Sequence, residues 1–99
     1  MNHNVLILPQ AIADVADAIA WYQQQRDGLG AEFDQAFDSA ATTISQFPEL
    51  YPIAFGSVRR CLLGRFPYGI FYEVVDDGVV LIVAVLHASR DPATLQDRL

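Results

Sequence analysis

An apolar stripe at helical spacing between Phe33 and Phe47 limits the possible folds of this 99-residue chain more than any other feature. The stripe recurs at i, i+3, i+4 and i+7 over four turns and consists of Phe33, Ala36, Phe37, Ala40, Ala41, Ile44 and Phe47. Pro48 follows, and helices usually end at or before the residue that precedes a proline. The pattern predicts an amphipathic helix over residues 30–47 whose aromatic side chains lie in a core.

A second helix of the same kind comes earlier in the chain. Its apolar positions also fall at helical spacing and are Ile12, Val15, Ala16, Ile19 and Tyr22. Pro9 suits the first turn, where a missing N–H costs nothing, and Asp27-Gly28-Leu29-Gly30 ends the helix. These features predict an antiparallel helical hairpin over residues 10–26 and 30–47, preceded by a short strand at Val5–Leu8.

The pattern changes from helical to strand-like after the second helix. Residues 48–57 contain two prolines and a glycine, which predicts a loop. Three strands are predicted next, over residues 58–66, 70–75 and 79–87, with a tight turn between the first two. Asp76-Asp77-Gly78 predicts a hairpin turn between the last two, because Asp-Gly tolerates positive φ. The third strand is apolar on both faces, which is typical of a central strand.

The order β-α-α-β-β-β predicts an α+β fold in a single domain over residues 1–99. The helical hairpin is expected to pack on one face of a mostly antiparallel sheet. Residues 88–99 are predicted to form a short polar tail. A packed core is expected because 53% of the residues are hydrophobic.

The charge balance excludes a protein that binds nucleic acid by charge alone. The chain has six Arg and no Lys against twelve Asp and Glu, for a net charge of −6. Binding along a phosphate backbone requires many Lys and Arg side chains that replace counterions. Any contact with nucleic acid must therefore be local.

The sequence predicts neither a metal nor another cofactor. Its two His and one Cys lie far apart, and no Gly-rich phosphate loop follows a strand. No apolar run reaches the roughly 18 residues of a membrane span, and the start of the chain lacks the features of a signal peptide. With the single Cys61, which excludes an internal disulfide, these observations predict a cytoplasmic protein without a membrane partner.

The scarce cations are concentrated between Val58 and Pro92. Four of the six Arg lie there together with one His, and they are Arg59, Arg60, Arg65, Arg90 and His87. Arg has a fixed charge and a planar fork that suits phosphate or carboxylate. Arg59 and Arg60 are neighbours on a predicted strand and point to opposite faces, so at most one of them belongs to a given site.

A set of residues at consistent spacing runs along nearly the whole chain. Its members are Trp21-Tyr22, Gly30, Phe33, Phe47-Pro48, Arg59-Arg60, Arg65-Phe66-Pro67-Tyr68, Ile70-Phe71-Tyr72, His87, Arg90-Asp91-Pro92 and Arg98. On the predicted element order, this set resembles the RelE/ParE superfamily of bacterial toxins from type II toxin–antitoxin modules. One departure is Leu95, where the family usually has Trp.

The resemblance implies a cytoplasmic growth inhibitor of the kind found in plasmid stabilization systems. A cognate antitoxin encoded beside it would neutralise it, with a homodimer or a toxin–antitoxin hetero-oligomer as possible assemblies. ParE-like members poison DNA gyrase, whereas RelE-like members are endoribonucleases that cut mRNA on the translating ribosome. A third alternative is a non-toxic member that keeps antitoxin binding. The acidic balance and the absence of Lys favour the ParE-like alternative.

Five candidate site residues follow from the resemblance. RNA cleavage needs cations at the phosphate and groups that transfer protons. If the protein is an enzyme, Arg60 and Arg65 are expected at the phosphate, and His87 or Tyr72 in proton transfer. With Arg90, these side chains are expected to converge at one end of the sheet.

Each candidate also has a structural explanation. Arg65 lies next to a turn and suits an anchor, and Tyr72 lies in mid-strand with its ring in the core and its hydroxyl at the rim. His87 ends an apolar strand, where a hydrogen-bonded His without a catalytic role also fits. Arg90-Asp91-Pro92 suits a turn.

Overall fold

Two helices pack on one face of a five-stranded sheet in the computed structural model, which describes residues 3–76 and 78–98. The elements in chain order are β1 (Asn4–Ile7), α1 (Pro9–Gln25), α2 (Leu29–Gln46), β2 (Ile53–Phe55), β3 (Val58–Leu62), β4 (Tyr68–Asp76), β5 (Val79–His87) and a 3-10 helix (Pro92–Arg98). The predicted helical hairpin and the predicted α+β fold are confirmed. The predicted turn at 76–78 includes Asp77, which lies outside the described residues.

The strand order is β1-β5-β4-β3-β2. β1 runs parallel to β5, and the other three neighbouring pairs are antiparallel, so the sheet is mostly antiparallel as predicted. β5 lies between β1 and β4 and is central, which explains why it is apolar on both faces. Among the described residues, no helix combines the length and the apolar character that crossing a membrane requires.

Two predicted boundaries are wrong. Residues 48–57 are not entirely a loop, because Ile53–Phe55 forms the edge strand β2 and pairs with β3 across a turn at Gly56, where φ is 54°. An edge strand tolerates the proline that precedes it, and this makes such a strand difficult to predict. The next strand ends at Leu62 instead of residue 66, since the chain turns at Gly64, where φ is 76°.

An aromatic cluster fills the space between the helices and the sheet. Phe33 of α2 is fully buried and stacks on Tyr22 of α1, with 5.4 Å between ring centroids. Its ring centroid lies 5.2 Å from that of Phe66 and 5.1 Å from that of Tyr68, in the T-shaped geometry that aromatic pairs prefer. Cys61 is buried in the same core, where it acts as a small apolar residue.

The C-terminal segment is not the polar tail that the sequence predicts. Leu95 of the 3-10 helix is fully buried against the opposite face of the sheet, where it joins Val58, Phe71, Val83 and Leu86. Leu95 is the position at which the sequence departs from the resemblance, and its side chain anchors this segment. The segment is therefore a part of the core.

A β-bulge interrupts the pairing of β5 with β4. Phe71 lies opposite Ala84 and Tyr72 opposite Ile82, so Val83 has no partner on β4. β1 pairs with β5 only as far as Ile82, so beyond Ile82 this edge of β5 would be open.

Two charged side chains close this edge. The Asp14 carboxylate of α1 accepts a hydrogen bond from the Val85 N–H at 3.0 Å. Arg98 donates to the two oxygens of Asp14 at 2.6 and 3.1 Å. This bidentate pair connects the C-terminal segment to α1 across the edge of the sheet.

Candidate functional site: a cationic pocket at the end of the sheet

Four of the six Arg side chains are held by partners within the protein. Arg26 and Arg65 share Glu32 at 3.0 and 2.6 Å, and the hydrogen bond from Arg65 is the main reason that the pKa of Glu32 lies below its usual value. Arg59 donates to the carbonyl oxygen of Tyr51 at 2.6 Å. The fourth is Arg98, whose ion pair is described above. These contacts give Arg65 and Arg59 structural partners.

The other two, Arg60 and Arg90, line one pocket together with His87. The pocket has a volume of about 220 Å³, and its remaining lining residues are Leu62, Gly69, Phe71, Leu86, Ala88 and Pro92. Within residues 3–76 and 78–98, neither guanidinium has an ion pair or a side-chain hydrogen bond. No carboxylate lines this cationic pocket in the described chain, although the net charge is −6. Two free guanidinium groups in such a pocket can bind an anion bidentately.

Gly69 positions Arg60. A Cβ atom added at Gly69 would lie 3.1 Å from Cγ and 3.2 Å from Cδ of Arg60, closer than ordinary van der Waals contact. The aliphatic stem of Arg60 therefore lies directly over the glycine on β4. A glycine inside a strand usually weakens it, and here its small size allows this close approach.

His87 stands at the end of β5 with one ring nitrogen occupied. The Ser89 backbone N–H, which can only donate, points at Nδ1 from 3.0 Å, and the Ser89 hydroxyl lies 2.8 Å from the same nitrogen. In the neutral ring the proton is therefore assigned to Nε2. The ring meets Tyr68 edge-on, with 5.3 Å between centroids. Neutral His87 thus has an N–H donor at its free nitrogen.

The structure places three of the five candidate residues at one pocket. Arg60, His87 and Arg90 line the same pocket, whereas Arg65 lies on Glu32 and Tyr72 lies in the core. Tyr72 lies opposite Arg59 in the register of β4 and β3, so its side chain is on the sheet face that the helices cover and not on the face of Arg60. It is therefore fully buried.

The Tyr72 hydroxyl is not available for chemistry in this pocket. It donates to the carbonyl oxygen of Pro48 at 2.6 Å, and burial raises its pKa to about 12. This geometry matches the structural explanation for Tyr72, a core ring with a satisfied hydroxyl.

Sequence reasoning missed two residues that shape the pocket. Gly69 lies in the predicted tight turn between residues 66 and 70, although a glycine next to the apolar residues of a strand also indicates a close approach. Ser89 was given no role, although its position two residues after His87 lets it bind the ring nitrogen.

A helical hairpin on a mostly antiparallel sheet is the fold that the sequence resemblance to RelE/ParE toxins predicts. The sequence matches the family described as "ParE toxin of type II toxin-antitoxin system, parDE" over residues 5–92. The chain therefore belongs to the ParE toxin family. No curated protein matches the sequence significantly.

Solved structures share this fold at low sequence identity. One belongs to a chromosomal ParDE toxin–antitoxin system from P. aeruginosa, with a TM-score of 0.76, 16% identity, and coverage of 86% of this chain and 95% of that chain. Another is the RelBE2 toxin–antitoxin complex from Mycobacterium tuberculosis, with a TM-score of 0.65, 15% identity, and coverage of 88% and 99%. At these identities the likeness establishes the fold alone.

Proposed function

We propose that this protein is the toxin of a type II module and that it inhibits DNA gyrase by binding it, without cutting mRNA. Its cationic pocket would bind an acidic group of the target. The observation that carries this proposal is the state of His87. In the neutral ring, Nδ1 is the nitrogen that could accept a proton, and it already faces the backbone N–H and the hydroxyl of Ser89. The other nitrogen, Nε2, already carries a proton.

Cleavage of RNA would need a base at this site. Tyr72 is buried and hydrogen-bonded, and Tyr68 lines a neighbouring pocket instead of the cationic one. Among the described residues, the cationic pocket therefore has cations and a donor but lacks a free base. Such a site is suited to binding an anion and poorly suited to abstracting the 2′-hydroxyl proton of RNA.

The test compares two activities of purified toxin, inhibition of gyrase supercoiling and cleavage of mRNA on translating ribosomes. Arg60→Ala and Arg60→Lys are both expected to weaken gyrase inhibition by about tenfold or more, because an ammonium does not replace a bidentate fork. His87→Ala is expected to weaken it by less than tenfold. Arg26→Ala is the matched control, since Arg26 is exposed, pairs with Glu32 and does not line the pocket.

The alternative function, an endoribonuclease, predicts a different result for His87→Ala. If the protein were an endoribonuclease with His87 as its base or acid, His87→Ala would lower the cleavage rate by about 10²–10⁴-fold. Ribosome-dependent cleavage that this substitution abolishes would overturn the proposal.

The proposed antitoxin site is an apolar groove on the other side of the molecule. The groove has a volume of about 260 Å³ and is lined by Ile7, Ile12, Val15, Ala16, Ile19 and Phe37. It continues into a groove between β1 and α2 that shares Ile7 and Phe37. β1 is an edge strand, and its Leu6 is 56% exposed. An amphipathic antitoxin segment that covers the groove and adds to this edge would bury these side chains.

Antitoxin binding should depend on Ile12 and little on salt. Ile12 is 56% exposed in the free toxin, so Ile12→Glu should leave the fold intact. Loss of its burial, worth about 1.5–3 kcal/mol, should weaken binding by about 10–100-fold in a calorimetric titration. Ile53→Glu is the control, because Ile53 is 55% exposed on the opposite edge. An affinity that falls by several decades between low and moderate salt would contradict an apolar interface.

A further inference from the structure

A second pocket lies on the other side of His87 and Arg90. It has a volume of about 260 Å³, and its lining residues are Asp14, Asp17, Ala18, Trp21, Tyr68, Val85, Leu86, His87 and Arg90. The first four form one stripe of α1, at i, i+3, i+4 and i+7. His87 and Arg90 therefore stand between the cationic pocket, whose described lining contains no carboxylate, and a pocket that contains two.

The second pocket has one unpaired carboxylate and one exposed indole. Asp14 is committed to Arg98 and to the Val85 N–H, whereas Asp17 has no ion pair among the described residues. Trp21 is 54% exposed, and its contact with Tyr22 is edge-on, with rings at 87° and 5.0 Å between centroids. A carboxylate one helical turn from an exposed indole suits a guanidinium or ammonium group, which would pair with the acid and stack on the ring.

We propose that the pocket between Asp17 and Trp21 binds a basic side chain of the target protein, next to an acidic side chain held by Arg60 and Arg90. This inference rests on the proposed function, since it describes how the same target is recognised. Arg90 lines both pockets, and an anion bound to it would offset its repulsion of a cation in the second pocket. The site would thus recognise neighbouring acidic and basic residues on one protein segment.

The arrangement favours a protein over RNA as the target. A nucleic acid presents a continuous series of phosphates, and a strand that crosses from the cationic pocket would bring a phosphate close to Asp17. Like charges at such close range are unfavourable. A protein segment can instead present opposite charges one helical turn apart.

Trp21 is the only Trp of the chain, so its fluorescence reports directly on this pocket. The probe is N-acetyl-arginine amide, titrated into the purified toxin. N-acetyl-citrulline amide has nearly the same shape without the charge and is the matched control. We expect a saturable change in Trp21 emission with the arginine probe, in the millimolar range, and at least tenfold weaker binding of the citrulline probe.

Three variants test the charges. Asp17→Asn should weaken binding of the arginine probe by about tenfold, whereas Asp34→Asn, an exposed acid on α2 outside the pocket, should not change it. Arg90→Ala should strengthen binding of this probe by about threefold, because it removes a like charge. A merely structural role of Arg90 would not produce this gain.

Three outcomes would overturn the inference. They are equal binding of the arginine and citrulline probes, a saturable response to uridine monophosphate in place of the arginine probe, and gyrase inhibition by Asp17→Asn equal to that of the wild type. If the wild-type toxin does not inhibit gyrase, the proposed function fails by itself. The fluorescence titration then still decides whether the pocket binds a basic side chain.

Discussion

Phe33→Ala is expected to lower the free energy of unfolding by about 3–5 kcal/mol, a large fraction of the stability of a small domain. Phe33 is fully buried, and its ring centroid lies 5.1 to 5.4 Å from those of three aromatic rings. One belongs to α1, one to the turn before β4 and one to the first residue of β4. Loss of the Phe33 ring would leave a cavity where the helices meet the sheet. Urea denaturation followed by far-UV circular dichroism measures the change.

Phe47→Ala is the matched control for this prediction. Phe47 belongs to the same apolar stripe in the sequence, but it caps the end of α2 and is 58% exposed. Its truncation should cost less than about 1 kcal/mol. Equal losses of stability in the two variants would show that the aromatic cluster is not the centre of the core.

The helices could be predicted because their signals are local. The stripe from Phe33 to Phe47 has a period that only a helix can place on one face, and prolines and glycines mark its ends. The edge strand Ile53–Phe55 could not be predicted in this way, since three residues after a proline have no periodicity to read. It exists because β3 offers a partner across the turn at Gly56.

The candidate site could be predicted only in part, for a related reason. The sequence shows that Arg residues are scarce and clustered, but which of them are free depends on pairs that are distant along the chain. Arg65 meets Glu32 across 33 positions, and this pairing withdraws it from the expected site. Arg60 and Arg90 remain available because no described carboxylate reaches them.

The C-terminal segment contains a buried residue that its polar composition does not reveal. Residues 88–99 look polar as a whole, yet Leu95 reaches the core because the chain turns after His87 and the 3-10 helix then packs against the sheet. A single apolar residue in a polar stretch has no periodicity, so its burial is decided by the tertiary structure. The same segment contributes Pro92 to the wall of the cationic pocket.

The ion pair between Asp14 and Arg98 should therefore contribute strongly to stability. Their side chains are only 15% and 22% exposed, and Asp14 also accepts the Val85 N–H at the open edge of β5. Arg98→Ala is expected to cost about 2–3 kcal/mol, because it leaves a largely buried carboxylate without its cation. Arg26→Ala is the control, since its ion pair is exposed and should be worth less than about 1 kcal/mol.

A double-mutant cycle separates the ion pair from the packing of the segment. Asp14→Ala also removes the acceptor of the Val85 N–H, so it should cost at least as much as Arg98→Ala. The double variant should lose less than the sum of the two single losses, with a coupling of about 1–2 kcal/mol in urea denaturation, because no unpaired charge remains buried. Additive losses would mean that the C-terminal segment is held by Leu95 alone. Coupled losses would mean that the charge of Asp14 on α1 also holds the C-terminal segment, and with it the part of the cationic pocket wall that this segment forms. Asp14 and Leu95 would then hold the segment from opposite faces of the sheet.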